Sequence, residues 1–187
     1  MFLAASEQAA TLLAGLCVGK ALTRLPAKFL SRATNLAAGG LLGFQVFCLL
    51  PGSIPLISTV ILAPALILGI IGGIFLKEGP LSSQTLGGIV LLLHAFCLGL
   101  NLAPLPVPLW SYFLCIGLLC SHARLRWGAP IALIGGAWLS AHWTPSLRLG
   151  GMVLAISCGL LLQTTPHTRL SATRLVGLVI ALLIATF

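Results

Sequence analysis

Apolar runs of about 17 to 25 residues follow one another from end to end of this chain, each stopped by proline, glycine or charge. That is the length needed to cross a bilayer as a helix. Of its 187 residues 59% are hydrophobic and 6% charged, with a mean hydropathy of +1.15. An ordinary soluble domain is about a quarter charged. A chain with so few polar groups cannot cover itself for water, so lipid is the expected solvent of its exterior. The expected fold is therefore an all-α, polytopic transmembrane helical bundle, a single integral membrane domain over residues 1–187.

Eight short spans are expected, at about 4–22, 34–50, 54–76, 84–101, 107–121, 127–141, 147–163 and 172–187. The sixth is the shortest, and the count falls to seven if it is re-entrant. The amino terminus lacks the basic region of a cleavable signal. The run Leu13-Ala14-Gly15-Leu16-Cys17 has Leu where a lipoprotein signal needs a small residue. The first segment is thus expected to be retained as a span.

Charge placement tests the segmentation. There is no Asp, and Glu7 and Glu78 are the two acids against ten Lys and Arg, a net charge of +8. Lys20, Arg24, Lys28 and Arg32 are read as the first loop, Lys77 falls in the third, Arg124 with Arg126 in the fifth, and Arg169 with Arg174 in the seventh. The second and fourth loops hold no basic residue. Cytoplasmic loops collect Lys and Arg, which predicts a multi-pass protein of the cell inner (cytoplasmic) membrane with both termini non-cytoplasmic. Only Arg148 breaks the alternation, at a helix end where its side chain can snorkel. The same basic residues are expected to meet lipid headgroups or the cytoplasmic face. No basic run is interleaved with aromatics, so nucleic acid is excluded as a partner. Trp110, Trp127, Trp138 and Trp143 fall near span ends, as an interfacial belt requires.

Six cysteines lie inside apolar runs without C-x-x-C or paired Cys/His spacing, so neither metal nor cofactor is expected, and they read as soft hydrophobes between helices. Gly15 with Gly19, Gly39 with Gly43 and Gly69 with Gly73 are small-xxx-small pairs that let backbones approach in lipid. Packing within the chain is the first reading of these pairs, and a homodimer face the second.

An internal similarity stands out. Without a gap, Gly72-Gly73, Leu76, Ser83, Leu86, Gly87-Gly88, Val90, Leu91 and Leu98 recur at Gly135-Gly136, Leu139, Ser146, Leu149, Gly150-Gly151, Val153, Leu154 and Leu161. In an eight-span map the copies are three spans apart and face opposite sides, an inverted repeat of the kind found in alternating-access carriers. The stretch 64–101 also resembles the end of a half-unit in the drug/metabolite transporter superfamily, particularly its EamA-type members. The matching residues are Pro64, Leu76, Glu78, Leu81, Gln84, Leu86 and Gly87, with a second copy at 135–163 where Ala141 replaces Glu78. The resemblance covers about a fifth of the chain. It implies small-molecule export or metabolite exchange and carries over no binding residue.

Polar side chains at membrane depth are costly unless paired or functional. The substrate-pathway candidates are therefore Gln45 and His94, with Ser58, Thr59 and Ser157 in the same zone and Glu7 near the start of the first span. His94 suits a proton relay or a hydrogen-bond partner of a solute. A two-histidine haem site lacks its second histidine, since His122, His142 and His167 fall in loops. No catalytic residue is expected, because a chain without Asp lacks the clustered acids or metal carboxylates that membrane lipid enzymes need. A small-molecule permease or exporter is the leading reading. The alternative is a non-catalytic subunit that scaffolds a larger membrane complex, with other membrane subunits as its partners, and a membrane enzyme of lipid metabolism is the third and weakest reading.

Overall fold

The structure is a computed structural model, describing residues 2–49, 59–80, 82–101, 110–121, 125–142, 147–164 and 172–186. Among them are eight α-helices and no strand: α1 (Phe2–Leu22), α2 (Ala27–Phe44), α3 (Thr59–Glu78), α4 (Ser83–Leu100), α5 (Trp110–Cys120), α6 (Ala129–His142), α7 (Leu147–Thr164) and α8 (Ala172–Thr186). A π turn, Gln45–Leu49, extends α2, and a 3-10 turn, Arg126–Gly128, leads into α6.

Each expected apolar segment meets one helix. The main departure is at α2, which begins at Ala27 rather than near residue 34. Lys28 and Arg32 therefore ride on its first turns instead of lying in a loop. Pro26 immediately precedes the helix at φ −53°, a conformation its ring already imposes, and Lys and Arg are good helix formers. α4 starts where Ser82 accepts the Thr85 N–H at 3.3 Å, a side-chain cap for one of the unpaired amides of the first turn. Pro64 sits inside α3, and Pro51 and Pro55 lie outside the described residues.

Glycine decides which helices touch. A Cβ at Gly15 would lie 2.7 Å from Leu114 O, and one at Gly19 2.6 Å from the Ser121 Cβ. The two numbers rise together, so α1 and α5 run parallel, and Gly117 of α5 faces Gly15 in return. By the same register α2 runs parallel to α8, with Gly39 on Arg174 and Gly43 on Leu178 and Ala181. α3 runs parallel to α7, with Gly69 on Ile156 and Gly73 on Leu160 and Gln163. α4 and α6 cross where Gly99 meets Leu133 and Gly136 meets Phe96 and Leu100. All three small-xxx-small pairs read from the sequence thus pack within the chain. Further contacts of α2 with α5, α1 with α6 and α4 with α7 order the neighbours as α8, α2, α5, α1, α6, α4, α7, α3.

Apolar side chains cover much of the outside as well as filling the core. Large apolar side chains stand on the outside, including Val60 at 78% exposed, Ile131 at 72% and Phe75 at 69%. Gln45, His94, Asn101, Ser111, Ser121 and Ser157 are buried. Judged by length and composition among the described residues, one helix, Val60–Glu78, is sufficient to cross a membrane. The apolar helices Gln84–Leu100, Ser111–Cys120, Leu149–Leu161 and Ala172–Ile184 are shorter.

Candidate functional site

Four buried side chains from four elements form one hydrogen-bonded relay. Gln45 stands where α2 passes into the π turn, and its Nε2 lies 3.4 Å from the Tyr112 hydroxyl of α5. The Tyr112 hydroxyl lies 2.5 Å from Nε2 of His94 on α4. On the other side of the ring, His94 Nδ1 is 3.0 Å from the Ser157 hydroxyl of α7. Ser157 in turn donates to the Leu154 carbonyl at 2.8 Å.

Helical periodicity puts each member inside. On α4 the buried stripe Val90, Leu91, His94, Ala95, Leu98 returns every three or four residues, and on α7 Leu154, Ser157, Cys158, Leu161 does the same. Tyr112 is held by edge-on rings, Phe44 at 6.3 Å and Phe113 at 6.0 Å between centroids, geometries that aromatic quadrupoles favour.

The relay has a direction, assigned from its fixed end. The Leu154 carbonyl can only accept, so the single Ser157 proton points to it. In this assignment Ser157 Oγ accepts from Nδ1–H of His94, which leaves Nε2 bare to accept from the Tyr112 hydroxyl. Tyr112 oxygen accepts in turn from the Gln45 amide N–H. Every donor along this path has an acceptor except the second amide proton of Gln45. At the open end, Gln45 Oε1 is buried with no partner among the described residues.

The sequence candidates divide clearly. Gln45, His94 and Ser157 come together. Glu7 is exposed on α1, whereas the relay is buried. Thr59 is the first residue of α3, with a side chain outside the description, and Ser58 lies outside the described residues. Lys20, Arg24, Lys28 and Arg32 are exposed, and Arg174 is half-buried at the start of α8. Arg126 stacks on Trp127, 5.3 Å from the ring centroid, whereas Arg124 and Arg169 lie outside the described residues. Trp127 and Trp138 are exposed.

Sequence reasoning missed Tyr112, the central member. It is the one Tyr of the chain and stands two residues after Trp110, where an aromatic is ordinarily assigned to the membrane interface. The available signal was its polar hydroxyl in a helix that is otherwise apolar but for the neighbouring Ser111. Asn101, at the end of the fourth expected span, also has a structural role. Its Nδ2 donates to Cys97 O at 2.8 Å and to Gly150 O at 3.2 Å, tying the end of α4 to the start of α7.

Beside the relay, a groove of about 280 Å³ runs between α2, α5 and α8, lined by Ala37, Gly40, Phe44, Cys115 and Ile184. The buried Ser111 hydroxyl also lines it and has no partner among the described residues.

No protein-family model, no curated protein and no solved structure matches this chain.

Proposed function

We propose that the chain is a multi-pass membrane protein whose eight helices cross the bilayer, and that it works as a small-molecule carrier with the Gln45–Tyr112–His94–Ser157 relay in its pathway. One observation carries this reading: the exterior is apolar while hydrogen-bonding side chains converge inside, the arrangement that lipid outside and a polar solute inside would select.

Three further features support it. Helices that pair in parallel are both odd or both even in chain order, as eight successive crossings of one layer require. Eight such crossings would put the carboxyl ends of α1 and α3 and the amino ends of α2, α6 and α8 on one side, with Lys20, Lys28, Arg32, Lys77, Arg126 and Arg174 on a common cytoplasmic face. Both termini then lie on the other face of the inner membrane.

The internal repeat gains a physical counterpart. α3 and α4 correspond to α6 and α7, and exchanging them turns the α3–α7 contact into α6–α4 while leaving α4–α7 unchanged. Gly136 packs on Leu100, and its equivalent Gly73 packs on Gln163, the equivalent of Leu100. An inverted repeat of this kind, together with the resemblance to drug/metabolite transporters over 64–101, favours alternating access.

The second reading, a scaffolding subunit, draws on the glycine crossings that hold backbones in contact in four helix pairs. Purification from native membranes in mild detergent separates the two. A metabolite that copurifies, and that proteoliposomes then exchange against an unlabelled pool, is the carrier result. A protein companion in fixed ratio without such exchange is the subunit result. Recovery as a monodisperse species in detergent-free buffer would overturn both.

A further inference from the structure

We propose that Gln45 Oε1 is the recognition point of a site for uncharged solutes bearing N–H or O–H donors. The chemistry stands on the relay, and its biological use rests on the carrier reading above.

The relay's direction leaves Gln45 Oε1 without a donor, beside the one amide proton of Gln45 that has no acceptor. With Ser157 donating to the Leu154 carbonyl, the bonds up the chain turn the Gln45 amide nitrogen toward Tyr112 and its carboxamide oxygen toward the open end. A buried acceptor without a donor is costly, so the position favours an occupant that supplies one. An anion brings further acceptors, which Oε1 cannot satisfy. A cation lacks a counter-charge as well, since Glu7 and Glu78 are the chain's two acids and both are exposed. Neutral amides and alcohols fit: they donate to Oε1 and need no charge partner.

The backbone at this point is suited to admit a solute. Gln45 opens the π turn that ends the regular ladder of α2, and π turns concentrate at functional sites because their hydrogen bonding is less regular. Gln45 is the first of the five residues of that turn and Tyr112 third in α5, so the open end of the relay lies toward one end of the bundle. His94 and Ser157 lie deeper in their helices.

Acetamide, acetate and methylammonium share size and differ in charge. Saturation-transfer NMR with each probe, on the whole protein in lipid nanodiscs against empty nanodiscs, reads binding directly. Acetamide is expected to give a signal above the empty discs, with acetate and methylammonium at the empty-disc level, and Gln45→Leu is expected to abolish it. Ser157→Ala never touches the probe, yet it removes the anchor that fixes the relay's direction. With both directions open, the acetamide signal is expected to fall to roughly half. That loss also tests the idea if Gln45→Leu does not fold. Equal signals in wild type and empty discs mean a buried water only and overturn the proposal, as does a dominant acetate signal or an undiminished signal in Ser157→Ala. Acetamide binding without exchange in any vesicle assay supports the site while sinking the carrier reading. Solute exchange that persists unchanged in Gln45→Leu does the reverse.

Discussion

Gly135 and Gly136 are adjacent in α6, and the structure assigns them opposite fates on gaining a methyl group. A Cβ at Gly135 meets nothing within 4 Å, whereas one at Gly136 runs into the Phe96 carbonyl and comes within 3.1 Å of Leu100 N. Both substitutions by Ala gain the same helix propensity, about 0.8–1.0 kcal/mol in water. The difference between them therefore isolates the cost of forcing α4 and α6 apart. Backbone cannot rotate away as a side chain can, so overpacking of about 1–3 kcal/mol is expected for Gly136→Ala. Gly135→Ala should be neutral or slightly stabilising. The assay is reversible unfolding of the detergent-solubilised protein, following helicity against denaturant for both variants and wild type. Gly99 sits at the same crossing, with its Cβ position 2.9 Å from Ala137 N. Once Gly136→Ala has opened the contact, adding Gly99→Ala should cost less than it does alone. Equal midpoints for the two single variants would refute the claimed α4–α6 apposition.

Tyr112→Phe removes one hydroxyl but strands two partners, His94 Nε2 and the Gln45 amide, so a loss of about 1–3 kcal/mol is expected in the same unfolding measurement. An unchanged midpoint would mean that the relay is not formed. Asn101→Ala deletes the bond from α4 to Gly150 O of α7 and should cost about 0.5–1.5 kcal/mol, with amide exchange rising first at the start of α7. A fluorescent reporter fused after Gly79 should light up in the cytoplasm, and one fused after Phe187 should stay dark. The opposite pattern would invert the proposed sidedness.

Much of the site was legible in the chain itself, because a polar residue in an apolar run is conspicuous. Gln45, His94 and Ser157 stood out that way, and the three glycine pairs announced close backbone contact. Tyr112 did not stand out, since a Tyr near a Trp reads as an interfacial anchor. Glu7, equally conspicuous, turned out exposed on α1.

By itself the sequence determined the eight helices and the small residues at their contacts, because run length, proline and charge are local signals. Only the tertiary structure decided that Gly15 answers Gly117, that Gly43 answers Ala181, and that α4 and α7 meet so that His94 reaches Ser157. The physical reason is that these helices are apolar on nearly every face. Where outside and inside are both apolar, hydrophobic periodicity no longer says which way a helix turns. Partner choice then falls to steric fit between glycines and to hydrogen bonds between side chains as many as 67 residues apart, and neither is visible along a line of letters.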